Sequence, residues 1–135
     1  MALQFSMAVR NARLDAIETA IGADAVLKMF SGAPPADVSQ PDSGTVIATM
    51  DLPADYMLDA SNAQKPKSGI WEDTEADNAG TLGHFRIYAS GGTVPHIQGT
   101  ITATSGGGDL EVQNTVVEAG QPIEITAYQI NEPNG

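Results

Sequence analysis

The chain has 135 residues, the length of one domain, and 41% of them are apolar or aromatic, so it carries enough hydrophobic residues for a core and is no disordered tail. Six Lys and Arg against 17 Asp and Glu give a net charge of −11, which disfavours nucleic-acid binding and adsorption to anionic membranes, since both need clustered cations. With no cysteine, disulfides, thiolate nucleophiles and zinc–thiolate sites are excluded.

Residues 1–6, with Leu3 and Phe5, read as an arm. No apolar run reaches the roughly 18 residues of a membrane span, and no basic stretch precedes a long apolar one as in a signal peptide. Met7, Leu14, Ile17 and Ile21 then recur at helical spacing with Ala20 beside them, while Arg10, Asn11, Asp15 and Glu18 supply a polar side. Ser6 suits an N-cap and Gly22 a C-terminal stop, so the pattern predicts an amphipathic helix over 7–22. A helix this short is marginal alone and must pack on something.

Beyond it the period changes. Strand-like runs are expected at Ala25–Phe30 and Gly44–Leu52, a loop over 53–68, a short strand at Ser68–Trp71 and an acidic connection over 71–77. Further runs follow at Gly83–Ala89, Val94–Thr104, Asp109–Val117 and Pro122–Asn131, separated by glycine-rich turns. Many short strands with one early helix predict a mainly β fold, a β-sandwich of immunoglobulin-like or jelly-roll-like type over 23–135 with the helix at its side.

One hairpin allows a sharper expectation. A three-residue loop, Gly91-Gly92-Thr93, pairs Ile87 with Ile97 and Tyr88 with His96, keeping the apolar sets on one face. The other face then carries His84, Arg86, Tyr88, His96, Gln98, Thr100 and Thr102. It reads as a solvated face or, because Tyr and Arg favour interfaces, as a contact surface.

Catalytic signals are weak. His84 and His96 lie diagonally, with no nucleophile at a motif position beside either, and no elbow, zinc-helix or Ser-x-x-Lys pattern occurs. Ser105-Gly106-Gly107-Gly108-Asp109 lacks the lysine and following helix of a phosphate loop and reads as a turn. Asp73, Glu75 and Asp77 alternate as in a calcium loop, but Asn78 and His84 stand where glycine and an acid are required. A solvated acidic loop is the reading, with weak calcium affinity as its alternative. No catalytic residue, cofactor or metal is expected.

Three stretches carry a resemblance: Val9–Ile17 with Leu27–Pro35, Gly83–Tyr88 with Ile97–Thr100, and Gly108–Leu110 through Asn114-Thr115 to Gly120-Gln121 and the closing strand. In this order they resemble a family of small tailed-bacteriophage virion proteins, while 53–82 matches it poorly. The resemblance implies a non-enzymatic structural component of a phage particle, made in the bacterial host cytoplasm. The leading expectation is a head decoration or cement protein that binds the major capsid protein and copies of itself. A tail or neck component and a carbohydrate-binding module using Trp71, Tyr88 and His96 are the alternatives. Candidate contact residues are Leu3, Phe5, Met7, Arg10, Arg13, Lys28, Arg86, Tyr88, His96 and Gln98. Because residues 87–135 hold five acids and no Lys or Arg, the base-bearing N-terminal half is expected to meet the shell and the acidic part to face solvent.

Overall fold

A computed structural model describes residues 3–132. Its single helix, α1 (Met7–Ile21), starts and stops as the sequence predicts. Ser6 is extended, and its Oγ accepts the Val9 N–H at 3.2 Å. Gly22, at φ 87°, closes the last turn by donating its N–H to the Glu18 carbonyl. Ten strands follow: β1 (Val26–Ser31), β2 (Val46–Asp51), β3 (Gln64–Pro66), β4 (Trp71–Asp73), β5 (Gly80–Tyr88), β6 (Pro95–Ala103), β7 (Leu110–Val112), β8 (Val116–Val117), β9 (Ile123–Ile125) and β10 (Gln129–Asn131).

The fold is mainly β, with several sheets. The main sheet runs β2-β1-β5-β6-β7, antiparallel except for the parallel pair β6–β7, and β8 pairs with the start of β5. Two further sheets have two strands each, β3 with β10 and β4 with β9. One face of the main sheet supplies Leu27, Met29, Phe85, Ile87 and Ile101 to the principal core, which Tyr56, Trp71, Ile125 and Ile21 complete from the other elements. Tyr128 joins it, its ring 5.7 Å from both Trp71 and Phe85.

Two glycines make this arrangement possible. Opposite β1, Phe30 pairs with His84 but Ser31 with Leu82, so Gly83 is the extra residue of a bulge. The bulge resets the strand's alternation, allowing Leu82 and Phe85 to face the core while His84 faces away. A Cβ on Gly83 would lie 2.1 Å from the Gly32 carbonyl oxygen, so only glycine fits. Gly99, directly opposite Phe85, leaves the space its ring occupies, since a Cβ there would be 2.8 Å from Cε1.

Several expectations need correction. Ile87 does pair with Ile97, but Tyr88 pairs with Pro95 rather than His96, because a bulge intervenes. The chain turns through the Gly92 N–H bonded to Ala89, and Ala89 then pairs back to Val94. The run Asp109–Val117 divides into β7 and β8, which pair with different strands. Pro122–Asn131 divides into β9 and β10, in separate small sheets. Residues 53–68 contain β3, and the short strand expected at Ser68–Trp71 lies at Trp71–Asp73 instead.

Helix docking is the largest departure. Leu14 and Ile21 are buried and Ile17 partly so, while Met7 and Ala20 of the expected stripe are exposed. The polar side instead turns toward the protein. Asn11 Oδ1 accepts the Ala63 N–H at 2.9 Å, and Asp15 Oδ1 accepts the Ala60 N–H and Lys65 Nζ, both at 2.8 Å. Arg10 donates to the Glu132 carbonyl at 3.1 Å, and Arg13 pairs with the Glu132 carboxylate at 2.9 Å. Residues 58–66 present backbone donors and a buried ammonium, which an apolar stripe would leave unsatisfied.

Candidate interaction surface

The second face of the main sheet carries Val26, Phe30, His84, Arg86, Tyr88 and Gln98. Alternation alone leaves it open, but the structure covers it with loop 32–45. Arg86 is fully buried there. Its guanidinium reaches Asp42 Oδ1 at 3.0 Å, the Asp37 carbonyl at 3.2 Å and Gln98 Oε1 at 2.9 Å. Gln98 Nε2 donates to the Pro35 carbonyl at 2.9 Å, and the Tyr88 hydroxyl donates to Asp42 Oδ1 at 2.6 Å. Burial, and then the Asp42 carboxylate, push the Tyr88 pKa far above the ordinary tyrosine value. Three of the ten candidate contact residues, Arg86, Tyr88 and Gln98, thus fasten the chain to its own loop. The physical reason is that a buried guanidinium needs several acceptors, and Asp42, the Asp37 carbonyl and Gln98 supply them.

His84 shares this layer. Its ring stacks on Phe30, with centroids 4.9 Å apart and planes 5° from parallel. Nδ1 lies 2.8 Å from the Gly32 carbonyl, which can only accept, so Nδ1 carries the proton. Nε2 is buried without a partner. His96 is exposed on β6, separated from this layer, so the two histidines form no site together.

The remaining candidates lie near the N-terminus or beside the 90–93 turn. Leu3 is 74% exposed, and Phe5, Met7 and Val9 are also on the surface. These four alternate along the end of the arm and the first helical turn, with the Arg13 guanidinium 4.9 Å above the Phe5 ring. Lys28 is half-buried; its ammonium donates to the Gly92 carbonyl at 3.0 Å and lies 4.9 Å from the Tyr88 ring centre. Trp71 and Tyr88, proposed above as parts of a sugar platform, are both buried and offer no such platform.

Every one of the six Lys and Arg therefore contacts its own chain. Arg10 and Arg13 hold Glu132, Lys28 holds Gly92, Lys65 holds Asp15 and the Leu58 carbonyl, Lys67 holds the Gly69 carbonyl, and Arg86 holds Asp42. The acids are mostly left outside. Among the described residues, four of the 17 form ion pairs, namely Asp15, Glu18, Asp42 and Glu132.

The acidic connection has a structural task. Asp73 Oδ2 accepts the Thr49 N–H at 2.9 Å, Asp77 Oδ2 accepts the Thr49 hydroxyl at 2.7 Å, and Asn78 Nδ2 donates to the Val46 carbonyl at 2.8 Å. The Asp77 N–H reaches the Ile47 carbonyl at 2.7 Å. Together they cap the outer edge of β2, so Asp73 and Asp77 are tied to the sheet rather than freely solvated. Among the described residues no group of three or more His, Asp or Glu side chains is placed to hold a metal ion.

Sequence reasoning missed Asp42 and Asn11. The usable signal was Arg86 itself, an arginine inside an apolar strand that needs a carboxylate from elsewhere. Among the described residues no helix is long and apolar enough to cross a membrane. Compared with protein-family models, curated proteins and solved structures, the chain matches none.

Proposed function

We propose that this chain is a non-enzymatic structural component of a phage virion, a head decoration protein that grips the major capsid protein through its N-terminal arm and first helical turn. The observation that carries the reading is the exposure of four apolar side chains, Leu3, Phe5, Met7 and Val9, within the end of the arm and the first helical turn. Exposed large apolar side chains concentrated in one short segment mark a contact site. The resemblance to small virion proteins supports the same reading. So does the pinning of loop 32–45 by Arg86, because a rigid body loses less entropy on docking.

In this reading the main sheet and the two small sheets make the β-sandwich, with copies of the chain grouped around a symmetry axis of the shell. Binding only the assembled lattice stabilises that lattice by linkage. The test is the number of copies per purified particle. Hundreds of copies support a head decoration protein, whereas a ring of about six to twelve would place it in the tail or neck. In the same particles, Leu3→Ser with Met7→Ser should lower occupancy on shells by about tenfold or more, as expected when two apolar anchors are lost. Full occupancy by this variant would remove the arm from the interface.

A further inference from the structure

The two edges of the main sheet are treated differently. The β2 edge is closed by Asp73, Asp77 and Asn78. At the other end, β7 has β6 as its strand neighbour among the described residues. The Val112 carbonyl accepts the Thr104 N–H at 3.0 Å and so points toward β6. Backbone groups alternate direction along a strand, so the N–H and C=O of Glu111 point the other way. There they meet a groove between β7 and the segment 124–129.

The groove consists of two clefts, of about 330 Å³ and about 770 Å³, that share Glu111, Gln113 and Thr126 on their walls. Asp109 and Tyr128 line the larger cleft and Glu124 the smaller. Asp109 and Glu111 accept bonds from Thr100 and from the Ser105 and Gly107 N–H groups, which fix both carboxylates in place and still leave lone pairs for a ligand. Lys67, also on the wall, is turned to the Gly69 carbonyl and the Trp71 ring. The open edge is therefore bordered by three carboxylates.

We infer that the β7 edge is a strand-addition site for an extended, lysine- or arginine-bearing segment of a different protein. Backbone bonds to Glu111 would supply the pairing, and Asp109, Glu111 and Glu124 the charge recognition. A second copy of this chain does not fit the site. All six of its cations are engaged internally, and its surface would bring more negative charge to the groove. The inference does not depend on the virion reading, because it rests on other residues than Leu3, Phe5, Met7 and Val9 and is tested on the isolated protein.

The test uses the full chain labelled with nitrogen-15 and a capped peptide of six alternating Lys and Val residues, about 20 Å when extended. Two control peptides carry Glu in place of Lys, or Pro in place of the central Val. The Lys peptide should move the amide signals of residues 109–113 and 124–129. It should weaken about tenfold as salt rises from about 50 to about 500 mM. The Glu and Pro peptides should leave those signals in place. Gln113→Lys adds a cation to the groove without removing a hydrogen bond and should weaken binding about three- to tenfold. Amide signals elsewhere will show whether this variant keeps its fold. Equal binding of the Lys and Glu peptides, or no shifts at these amides, would overturn the inference. Self-association by sedimentation that Gln113→Lys abolishes would also overturn it, by giving the edge to a second copy.

Discussion

Arg86 shows how one side chain changes the meaning of a whole face. A guanidinium on a half-exposed strand is cheap, but a buried one must be paired and fully hydrogen-bonded. Asp42 is its anionic partner, and the Tyr88 hydroxyl shares the same carboxylate oxygen. Asp42→Ala should therefore cost about 2 kcal/mol, below the usual range for breaking a buried pair because water can enter when the loop lifts. Urea unfolding curves would measure it. Arg86→Met in the Asp42→Ala background should recover part of the loss, since the uncompensated charge is then gone. A double variant no more stable than Asp42→Ala alone would show that the guanidinium is not the source of the cost. The other two tyrosines are also held protonated. Tyr56 is pushed up to about 12 by burial and the nearby Glu18, and Tyr128 to about 12 by burial and Asp109.

For the helix, docking sets two carboxylates beside one buried lysine, and their pKa values move in opposite directions. The hydrogen bond from Lys65, followed by that from the Ala60 N–H, lowers the Asp15 pKa below its ordinary 3.8. Burial raises Glu18 above 4.5, and Lys65 only partly offsets this, because its ammonium is 3.7 Å from Oε2, too far for a hydrogen bond. A lowered carboxylate pKa stabilises the fold above the unfolded value, and that contribution disappears as pH falls through the folded value. A raised one stabilises below the unfolded value and loses its contribution as pH rises through the folded value. At pH 7, Asp15→Asn should thus cost about 1 kcal/mol, a modest figure because Asp15 is nearly half exposed. Glu18→Gln should gain a few tenths of a kcal/mol. Denaturant melts at pH 7 and at about pH 3 would test the pair, since both differences should shrink at the acid end. A Glu18→Gln variant that is less stable at pH 7 would contradict this account. The boundaries of α1 were legible because Ser6 and Gly22 act locally. Its orientation was not, because the donors on Ala60 and Ala63 become visible only once 58–66 has folded back.

Across the whole molecule, the charge is sorted. Each cation is bonded within the chain, while thirteen carboxylates have no ion-pair partner among the described residues. Self-repulsion should then dominate the response to salt. Raising sodium chloride from about 20 to about 500 mM at pH 7 should stabilise the protein by about 1 kcal/mol, read from the thermal or urea midpoint. A fall in stability would mean that the internal pairs outweigh the surface repulsion. Arg10, Arg13 and Lys28 each have a partner within the chain, so any contact they made with another molecule would compete with Glu132 or the Gly92 carbonyl.

Elements whose signals are local could be read from the chain. These are the capped helix, the pairing of Ile87 with Ile97, the punctuated strands and the mainly β class. Hydrophobic period and turn chemistry act over a few residues, and a reader of the chain has all of them. Which polar residues are interior follows from long-range packing. Arg86, Lys65 and His84 are buried because residues 12 to 52 positions away in sequence supply acceptors that make burial tolerable. Such packing also decided how the β2 edge is closed, because Asp73, Asp77 and Asn78 come from a segment with no periodic signal.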